Sequence, residues 1–428
     1  MTFIANRNIQ PTVVPIKTID MATVDNRKLS NGLQMHLLNI GTQELVKIEL
    51  VFKAGIAHQN NKLVSSFTNK MLAEGTNSFN AYEIAKRIDS YGAYYSANID
   101  KDFASLSLYC LTKHLDQLLP LFIEIACEPT FPENELRILA NKSQQEFIVN
   151  LQKVKSRAQI NFPSLIFGAE HPYGQKAEPE DFEKITKEDL QSFYQNFYLN
   201  EDSNLIISGK VNPQIINKLE SNFSQIKLKT EPLNQIPDFK KFNISDYSHH
   251  IQIKDAMQSA VWVGKRLFNK LDSDFIGMQV LNTVLGGYFG SRLMSNIRED
   301  KGYTYGIGSS VVSHRQDGYF AIQTEVGSQH TQATLDEIFN EIDLLQSKKL
   351  DTSELELVKN YISGQLIRGL DGPFAVHEKL KAAVLYGLDL KYYQSFIEQV
   401  LSITPETIRD LANKHLQKSS LVQLIVGK

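Results

Sequence analysis

Residues 185–210 read ITKEDLQSFYQNFYLNEDSNLIISGK, and residues 403–428 read ITPETIRDLANKHLQKSSLVQLIVGK. The two segments align without a gap at an offset of 403 − 185 = 218 residues. Each has a threonine suited to cap a helix, a glutamate in the first turn, and an apolar run that closes on Gly-Lys. Both are therefore predicted to form a helix followed by a short strand. The identical positions include Ile185/Ile403, Thr186/Thr404, Glu188/Glu406, Gly209/Gly427 and Lys210/Lys428.

Earlier segments repeat at nearly the same distance. FPENELRILANKSQQEFI (131–148) matches LDTSELELVKNYISGQLI (350–367), which pairs Glu135-Leu136 with Glu354-Leu355. Two matches at almost one offset indicate a duplicated domain. The polar stretch KTEPLNQIPDFKKFNISDYSHH between the halves contains two prolines and is typical of a linker. We therefore predict an N-terminal domain over 1–230, a linker over 231–250 and a C-terminal domain over 251–428.

Within each half, several strand patterns precede pairs of helical patterns. Strand candidates are ELVKIELVFKAG, DFASLSLYCL, SAVWVGKRLF and GYFAIQTEV. Helix candidates are 81–91, 114–127, 133–153, 271–285, 331–347 and 352–368. This order favours the α+β class, with two similar layers of sheet and helices, over a doubly wound parallel sheet.

The composition is ordinary for a globular protein. The chain has 428 residues, which is long for one core, with 42% hydrophobic and 22% charged residues. A formal net charge of −3 gives no electrostatic reason to expect nucleic acid or an anionic membrane as a partner. Cys110 and Cys127 lie in apolar runs and are predicted to be buried thiols, which fits a reducing compartment.

The N-terminus gives no targeting signal. MTFIANRNIQPTVVPIKTID lacks the basic start and apolar core of a secretory signal. The apolar run LDQLLPLFIEIAC is shorter than a membrane span and contains Asp116 and Glu124. We expect a cytoplasmic location, or a periplasmic one if a signal has been removed.

Common catalytic signatures are mostly missing from the sequence. There is no Gly-Lys-Ser/Thr phosphate loop and no Gly-x-Ser-x-Gly elbow. None of the ten histidines lies four residues from another on a predicted helix, so the usual helix-borne zinc site cannot be built. His249 and His250 would point to opposite sides of a strand.

One segment differs, LNTVLGGYFGSRLMSNIREDKGYTYGIGSS (281–310). A predicted helix ends at Gly286-Gly287, where the lack of side chains would let another chain approach the backbone. A short helix carrying Arg292 and Arg298 precedes a strand with Tyr305. Arg298 and Tyr305 offer donors for a carbonyl oxygen. The alternative is that Arg298 pairs with a carboxylate and Tyr305 is a half-buried strand residue.

This segment resembles the C-terminal signature of the pitrilysin/insulinase-type (M16) zinc peptidases, which include the mitochondrial processing peptidases. FGAEHPYG (167–174) and the segment from residue 185 are similar to that family's N-terminal domain. The resemblance implies a metallohydrolase fold of the mitochondrial-processing-peptidase type, with two homologous α+β domains per chain. It also implies that the chain meets a second such pair to enclose a peptide chamber, as a heterodimer or homodimer.

Active members of that family carry His-x-x-Glu-His just before Met-Leu and a closing Gly-Thr, which here correspond to Met71-Leu72 and Gly75-Thr76. This register puts Ser66 and Lys70 at the two histidine positions and Asn69 at the glutamate position. The third ligand, a glutamate on a later helix, falls near Gln145 or Glu146, and the sequence does not choose between them. The resemblance therefore implies no metal in this chain and zinc in a partner subunit.

In active relatives, an Arg and a Tyr seven residues apart reach across the chamber to the substrate carbonyl, and Arg298 and Tyr305 match that spacing. Some bacterial members divide the work between a zinc-bearing subunit and a partner that supplies this pair. This chain resembles that partner, with Arg298 and Tyr305 in the catalytic role and Gly286 and Gly287 in substrate binding. The peptide would add as a strand to a sheet edge within residues 92–108.

Two other hypotheses remain open at this stage. In the first, the chain is a structural or peptide-binding subunit of a larger complex, with no part in catalysis. Alternatively, Ser66 and Lys70 lie one helical turn apart and could form a serine–lysine dyad.

Overall fold

The structure is a computed structural model that describes residue 16, residues 18–229, residue 244 and residues 246–428. Its N-terminal half contains β1 (Asp25–Lys28), β2 (Gln34–Asn39), β3 (Leu45–Phe52), α1 (Val64–Met71), α2 (Ala81–Ser90), β4 (Tyr94–Ile99), β5 (Ala104–Leu111), α3 (Leu115–Cys127), α4 (Glu133–Leu151), α5 (Val154–Phe167), α6 (Lys187–Phe197), β6 (Asn204–Gly209) and α7 (Pro213–Phe223). Its C-terminal half contains β7 (Ser248–Gln252), β8 (Gln258–Leu267), α8 (Phe275–Asn282), β9 (Thr304–Ser313), β10 (Gly318–Gly327), α9 (Thr331–Ser347), α10 (Thr352–Arg368), α11 (Pro373–Val384), α12 (Lys391–Ser402), α13 (Pro405–His415) and β11 (Val422–Gly427).

Each half is built on one sheet. The N-terminal sheet has the order β1-β2-β6-β3-β5-β4, and the C-terminal sheet has the order β7-β11-β8-β10-β9. In both, one parallel pair, β2/β6 or β7/β11, is followed by antiparallel neighbours. Apart from β1, the two sheets have the same strand arrangement. This confirms the predicted α+β fold with two similar sheet-and-helix domains.

The two repeated segments, residues 185–210 and 403–428, fold alike. Thr186 caps α6 by accepting a hydrogen bond from the Asp189 backbone N–H at 3.1 Å, and Thr404 caps α13 in the same way with Thr407 at 3.2 Å. The repeated glycines end β6 and β11 with φ of 136° and 153°, respectively. A Cβ at Gly209 would lie 2.1 Å from the Leu45 carbonyl oxygen, so both the backbone angle and the space require glycine.

Alternation along the strands decides which side chains enter each core. In β3, Ile48 and Leu50 belong to the apolar core under the N-terminal helices, whereas Lys47 and Glu49 face the other side of the sheet. The C-terminal sheet packs one face on α8, α9 and α13 in the same way.

The second face of each sheet is covered by a helix from the opposite half. In α5, Phe162 and Ile166 pack on Trp262 and Leu424 of the C-terminal sheet. In α11, Val376 and Leu380 join the cluster on the N-terminal sheet around Ile206. Each half therefore contributes one helix that packs on the sheet of the other half. This packing joins the halves in addition to the linker that the sequence predicted.

Some predicted boundaries differ from the structure. Ser248–Gln252 pairs with β11 as strand β7, so the last three residues of the predicted 231–250 linker belong to the C-terminal sheet. Residues 231–243 and 245 of that linker lie outside the described residues. The predicted helix 271–285 begins only at Phe275 and continues beyond α8 as a π-helical turn, Thr283–Gly287.

Candidate functional site

Helix α1 carries the residues that the sequence aligned with the zinc motif. Phe67 and Met71 anchor this helix in the N-terminal core, and Leu63 precedes it in the left-handed region with φ of 70°. The helix packs on α6, β4 and α4. It is therefore a rigid element, and its side chains have defined surroundings.

Asn69 has a structural role. Its side chain is buried, its Nδ2 atom donates to the Asn98 carbonyl of β4 at 2.8 Å, and its Oδ1 atom accepts from the Tyr198 hydroxyl at 3.1 Å. Both functional groups of the amide are thus used within the domain. Asn69 ties α1 to the edge strand β4 and to the segment after α6.

Ser66 and Lys70 are not arranged as a dyad. The Ser66 hydroxyl donates to the Leu63 carbonyl at 3.0 Å, one turn back along its own helix. Lys70 is exposed, and its Nζ atom lies 6.0 Å from the centre of the Phe67 ring. The proton of the serine is directed to the backbone, so the serine–lysine hypothesis is not supported by this geometry.

Helix α4 offers no third metal ligand. Gln145 and Glu146, the two residues between which the sequence did not choose, are both exposed. The α4 residue that lines the same cavity as Ser66 is Phe147, whose ring packs against Phe182 at 5.3 Å between centroids. A phenyl ring has no ligand atom for a metal.

These residues do not fit zinc. A zinc site needs at least three nitrogen, sulphur or carboxylate ligands, but the motif positions on α1 carry a hydroxyl, an amide used in internal hydrogen bonds and an ammonium. Even the exposed Glu146 of α4 would add only one carboxylate. An ammonium at a ligand position would also repel the dication. Helix α1 therefore keeps its place in the fold without the residues that would bind a metal.

Another group of side chains in the described part of the chain has the spacing of a metal site. Glu49, His377 and Glu378 bring ligand atoms within 4.8 Å of one another, between the N-terminal sheet and α11. The ammonium groups of Lys47 and Lys381 lie 3.0 and 2.9 Å from the two oxygens of Glu49. These cations occupy the places that a metal would need, so the group is an ion-pair network.

This network holds α11 to the sheet. His377 contacts Glu49 through Nε2 at 2.8 Å and the Ser208 hydroxyl through Nδ1 at 2.8 Å, with all three side chains buried. Burial opposes ionisation of Glu49, but the hydrogen bond from His377 and the charges of Lys381 and Lys47 hold its pKa well below the usual value. A serine, a histidine and a carboxylate here have no access for a substrate.

Two adjoining cavities lie between the halves. The first is lined by Ser66 and Phe147 from the N-terminal half and by Ser310 from β9, and it encloses about 520 Å³. The second contains Tyr305 and encloses about 540 Å³. Trp262 and Gln323 line both, so the helix with the altered zinc motif and the strand with Tyr305 face neighbouring parts of one interior space.

Tyr305 and Arg298 are available for contacts outside their own domain. Tyr305 lies near the start of β9, at the edge of the C-terminal sheet, and 95% of its surface is exposed. Arg298 lies on the π-helical segment Met294–Asp300 that packs on β9, and its guanidinium carbon is 4.7 Å from the centre of the exposed Phe289 ring. No carboxylate of the described residues pairs with Arg298, in contrast to Arg292, which binds Glu354 through two contacts of 2.9 Å.

The two glycines before this segment have different surroundings. Gly286 is buried, and a Cβ there would lie 2.6 Å from the Ser309 hydroxyl and 2.7 Å from its backbone nitrogen. The close approach that requires this glycine is thus made by β9, so its predicted contact with a substrate needs correction. Gly287 is exposed, and its predicted role in substrate binding stays a prediction.

The predicted peptide-binding edge contains two strands, and only one is at an edge. Residues 92–108 include β4, which ends the N-terminal sheet, and part of β5, which lies between β3 and β4. β4 is therefore the strand of this range to which a peptide could be added. The Asn69 amide of α1 fixes the position of β4 through its hydrogen bond to the Asn98 carbonyl.

Lys101 is a further residue that the sequence analysis did not select. It lines the first cavity, half-buried, at the turn between β4 and β5. The local signal in the sequence is the run Asp-Lys-Asp at 100–102, three consecutive charges directly before a buried strand. The other residues of the cavity wall come from distant parts of the chain and could not be read from the sequence.

No helix within the described part of the chain has both the length and the apolar character needed to cross a membrane. The predictions of cytoplasmic or periplasmic location go beyond this finding and stay predictions.

Two family models match the sequence. The model described as Insulinase (Peptidase family M16) matches residues 35–165, and the model described as Peptidase M16 inactive domain matches residues 184–362. The first match lies within the N-terminal half, and the second begins with the last elements of that half, α6, β6 and α7, and continues through the C-terminal half into α10.

The similar proteins carry contrasting names. The chain is 23% identical over 409 residues to a Bacillus subtilis protein named "Uncharacterized zinc protease YmxG", covering 92% of this chain and 96% of that protein. It is 25% identical over 410 residues to a Helicobacter pylori protein named "Non-peptidase homolog YmxG", covering 92% and 90%. Names of relatives at this distance therefore do not decide whether the present chain is a peptidase.

Solved structures share the fold. A peptidase M16 inactive domain from Pseudomonas fluorescens superimposes with a TM-score of 0.85 at 24% identity, covering 94% of this chain and 98% of that one. A protease from Helicobacter pylori gives a TM-score of 0.87 at 17% identity, covering 95% and 100%. With both halves matched by models of one family and the duplicated fold shared with its solved members, the chain belongs to the M16 peptidase family, as an inactive-type member whose α1 lacks the zinc ligands.

Proposed function

We propose that this chain is a non-catalytic subunit of a heteromeric M16 zinc endopeptidase and supplies Arg298 and Tyr305 to the active site of a zinc-bearing partner. The zinc and the general base would come from the partner. This chain would bring the donors that stabilise the negative charge on the substrate carbonyl oxygen in the transition state.

The observation that carries the proposal is the contrast between the two halves of the site. The positions of the zinc motif carry other residues, and both groups of the Asn69 amide form hydrogen bonds within the domain. Arg298 and Tyr305 keep their spacing and have no described carboxylate partner. Tyr305 is exposed at the edge of the C-terminal sheet, and Arg298 lies half-buried beside the exposed Phe289 ring. A tyrosine with 95% of its surface exposed makes almost no contact with its own chain, which leaves its hydroxyl free for a second one.

Such donors have a large effect on rate. A donor aimed at a developing oxyanion lowers the barrier by about 3–4 kcal/mol, which corresponds to roughly a hundred- to a thousandfold in rate. A neighbouring subunit can provide it, as an arginine finger does in phosphoryl transfer. A chain without metal can thus be required for the turnover of its partner.

The experiment compares peptidase turnover of equimolar mixtures of this chain and a zinc-bearing partner. Arg298→Ala should assemble normally and lower kcat by roughly a hundredfold or more, because the charged donor is lost from the transition state. Tyr305→Phe should assemble normally and lower kcat in the same direction. The KM should change less than kcat, since these donors act mainly after the substrate is bound.

Matched control variants are available on remote surfaces. Arg368→Ala removes an exposed arginine at the end of α10, and Tyr82→Phe removes the hydroxyl of an exposed tyrosine on α2. Both should leave kcat unchanged. If Arg298→Ala and Tyr305→Phe behave like these controls in an assembled complex, the second candidate, a structural or peptide-binding subunit with no catalytic role, replaces the proposal.

A further inference from the structure

The first cavity has an uneven distribution of charge. Its charged lining residues are Lys62, Lys101 and Lys176, and no aspartate or glutamate lines it among the residues that the structure describes. The chain as a whole has a slight excess of acidic residues, 48 against 45 Lys and Arg. A space of about 520 Å³ with three ammonium groups in its wall is therefore a local departure from the overall charge.

Two of these lysines have partners outside the cavity. Lys62 lies 3.4 Å from a carboxylate oxygen of Asp181, and Lys176 lies 3.3 Å from Glu178. Their charges are partly compensated. They contribute positive potential to the cavity but are not its main unsatisfied groups.

Lys101 is different, because no described carboxylate lies within ion-pair distance of its Nζ atom. Its neighbours along the chain are engaged elsewhere. Asp100 accepts from the backbone N–H groups of Asp102 and Phe103, both at 2.7 Å. Asp102 accepts from the Tyr173 hydroxyl and from the backbone N–H of Arg315 at 2.7 Å.

The electrostatic surroundings of Lys101 agree with this geometry. Burial lowers the pKa of Lys101 despite the attraction of Asp102. Burial also lowers the pKa of His314 to about 4, and the positive charge of Lys101 acts in the same direction. An ammonium that is partly removed from water without a counter-ion has a free-energy cost that an anionic ligand would relieve.

The rest of the wall suits a peptide. Polar amide side chains line the cavity beside the lysines, among them Gln59, Gln159 and Gln323. Apolar side chains such as Phe147, Trp262 and Ile160 complete the lining. A cation, amide groups and apolar surface together match a carboxylate that is attached to an amide backbone.

We propose that this cavity binds a carboxylate of a peptide, with Lys101 as its counter-ion. The carboxylate comes from an acidic side chain or from a peptide C-terminus, which present the same group to the ammonium. Lys101 belongs to the half with the altered zinc helix, and binding at this cavity does not require Arg298, Tyr305 or a partner subunit. It assigns a ligand class to a cavity that has no catalytic group of its own.

The experiment measures binding to the isolated full chain by isothermal titration calorimetry with three N-acetylated probes. The first is a short alternating Ala-Glu peptide with an amidated C-terminus, the second is its Ala-Gln counterpart, and the third is the Ala-Gln peptide with a free C-terminal carboxylate. Tight binding of the first identifies a side-chain carboxylate as the ligand, and tight binding of the third identifies the C-terminus. Equal binding of all three, or no binding of any, overturns the proposal.

Variants of the chain test the role of Lys101. Lys101→Met should weaken the preferred peptide by about tenfold or more, because a charge-assisted hydrogen bond is lost, whereas Lys101→Arg should retain most of the affinity. Lys391→Met, an exposed lysine at the start of α12, is the matched control and should leave the affinity unchanged. Binding that Lys101→Met leaves intact would overturn the proposal. Because Arg298→Ala should not affect this binding, failure here and failure of the proposed catalytic role are distinguishable.

Discussion

At the scale of single residues, the loss of the zinc motif involved more than the removal of ligands. Asn69 stands where a catalytic glutamate is expected and connects α1 to β4 and to the buried Tyr198. Ser66 hydrogen-bonds to its own helix, and Lys70 extends into solvent. The helix has therefore gained contacts that stabilise the domain in place of contacts that would bind a metal.

Asn69→Ala is expected to lower the free energy of unfolding by about 1–3 kcal/mol, because it leaves the Tyr198 hydroxyl and the Asn98 carbonyl without their partner. Urea unfolding monitored by circular dichroism measures the change. Lys70→Ala on the same helix is the control and should change stability by no more than about 0.5 kcal/mol. Equal stability of the two variants would show that Asn69 has no structural role.

The family resemblance assigned positions in α1 and in the 281–310 segment to candidate roles, because local motifs fix the register of both. It did not identify Phe147 as the α4 residue beside Ser66, since the rotation of α4 depends on its packing against Phe182 from a later segment. It likewise missed Lys101, because the engagement of Asp102 by Tyr173 and Arg315 joins parts of the chain that are far apart in sequence.

At the scale of elements, the reciprocal placement of α5 and α11 distinguishes this fold from one in which two domains are joined only by a linker. Each of these helices belongs to one repeat and covers the sheet of the other. The sequence analysis named no helix at α11, and the local apolar spacing of a helix cannot specify the sheet on which it packs. The Glu49 network supplies the specific contact, because it joins α11 to β3 through buried charges.

Glu49→Gln is expected to destabilise the chain by about 3–5 kcal/mol, because it removes the buried carboxylate that pairs with both Lys47 and Lys381. Lys47, with 2% of its side chain exposed, would keep only Glu378 of α11 as a charge partner. Thermal and urea unfolding measure this loss. The control is Glu406→Gln, which breaks an exposed pair with Lys349 at 2.5 Å and should leave the free energy of unfolding almost unchanged, because solvent screens the pair. A Glu49→Gln variant as stable as the Glu406→Gln variant would contradict a role for the network in joining the halves.

At the scale of the whole molecule, the duplication could be recognised in the sequence. The helix-capping threonines and the glycines that end the closing strands occur at matching positions in both halves, because each half has the same fold. Gly209 and Gly427 repeat since each ends a strand at a position where only glycine fits. The space between the halves could not be predicted from the sequence, because it depends on how α5 of the N-terminal half packs on the C-terminal sheet. The result is a chain with the M16 fold that has cavities between its halves and Tyr305 exposed at the edge of the C-terminal sheet, while its α1 presents no set of zinc ligands.

The central claim is that α1 does not hold zinc. The most direct test is the zinc content of the purified chain. The chain is equilibrated with excess zinc, freed of unbound metal and analysed by inductively coupled plasma mass spectrometry. We predict a zinc content far below one per chain, with no peptidase activity from the chain alone, because a serine, an amide, an ammonium and a phenyl ring cannot hold the ion. One zinc per chain, lost together with peptidase activity on adding a chelator, would contradict the account.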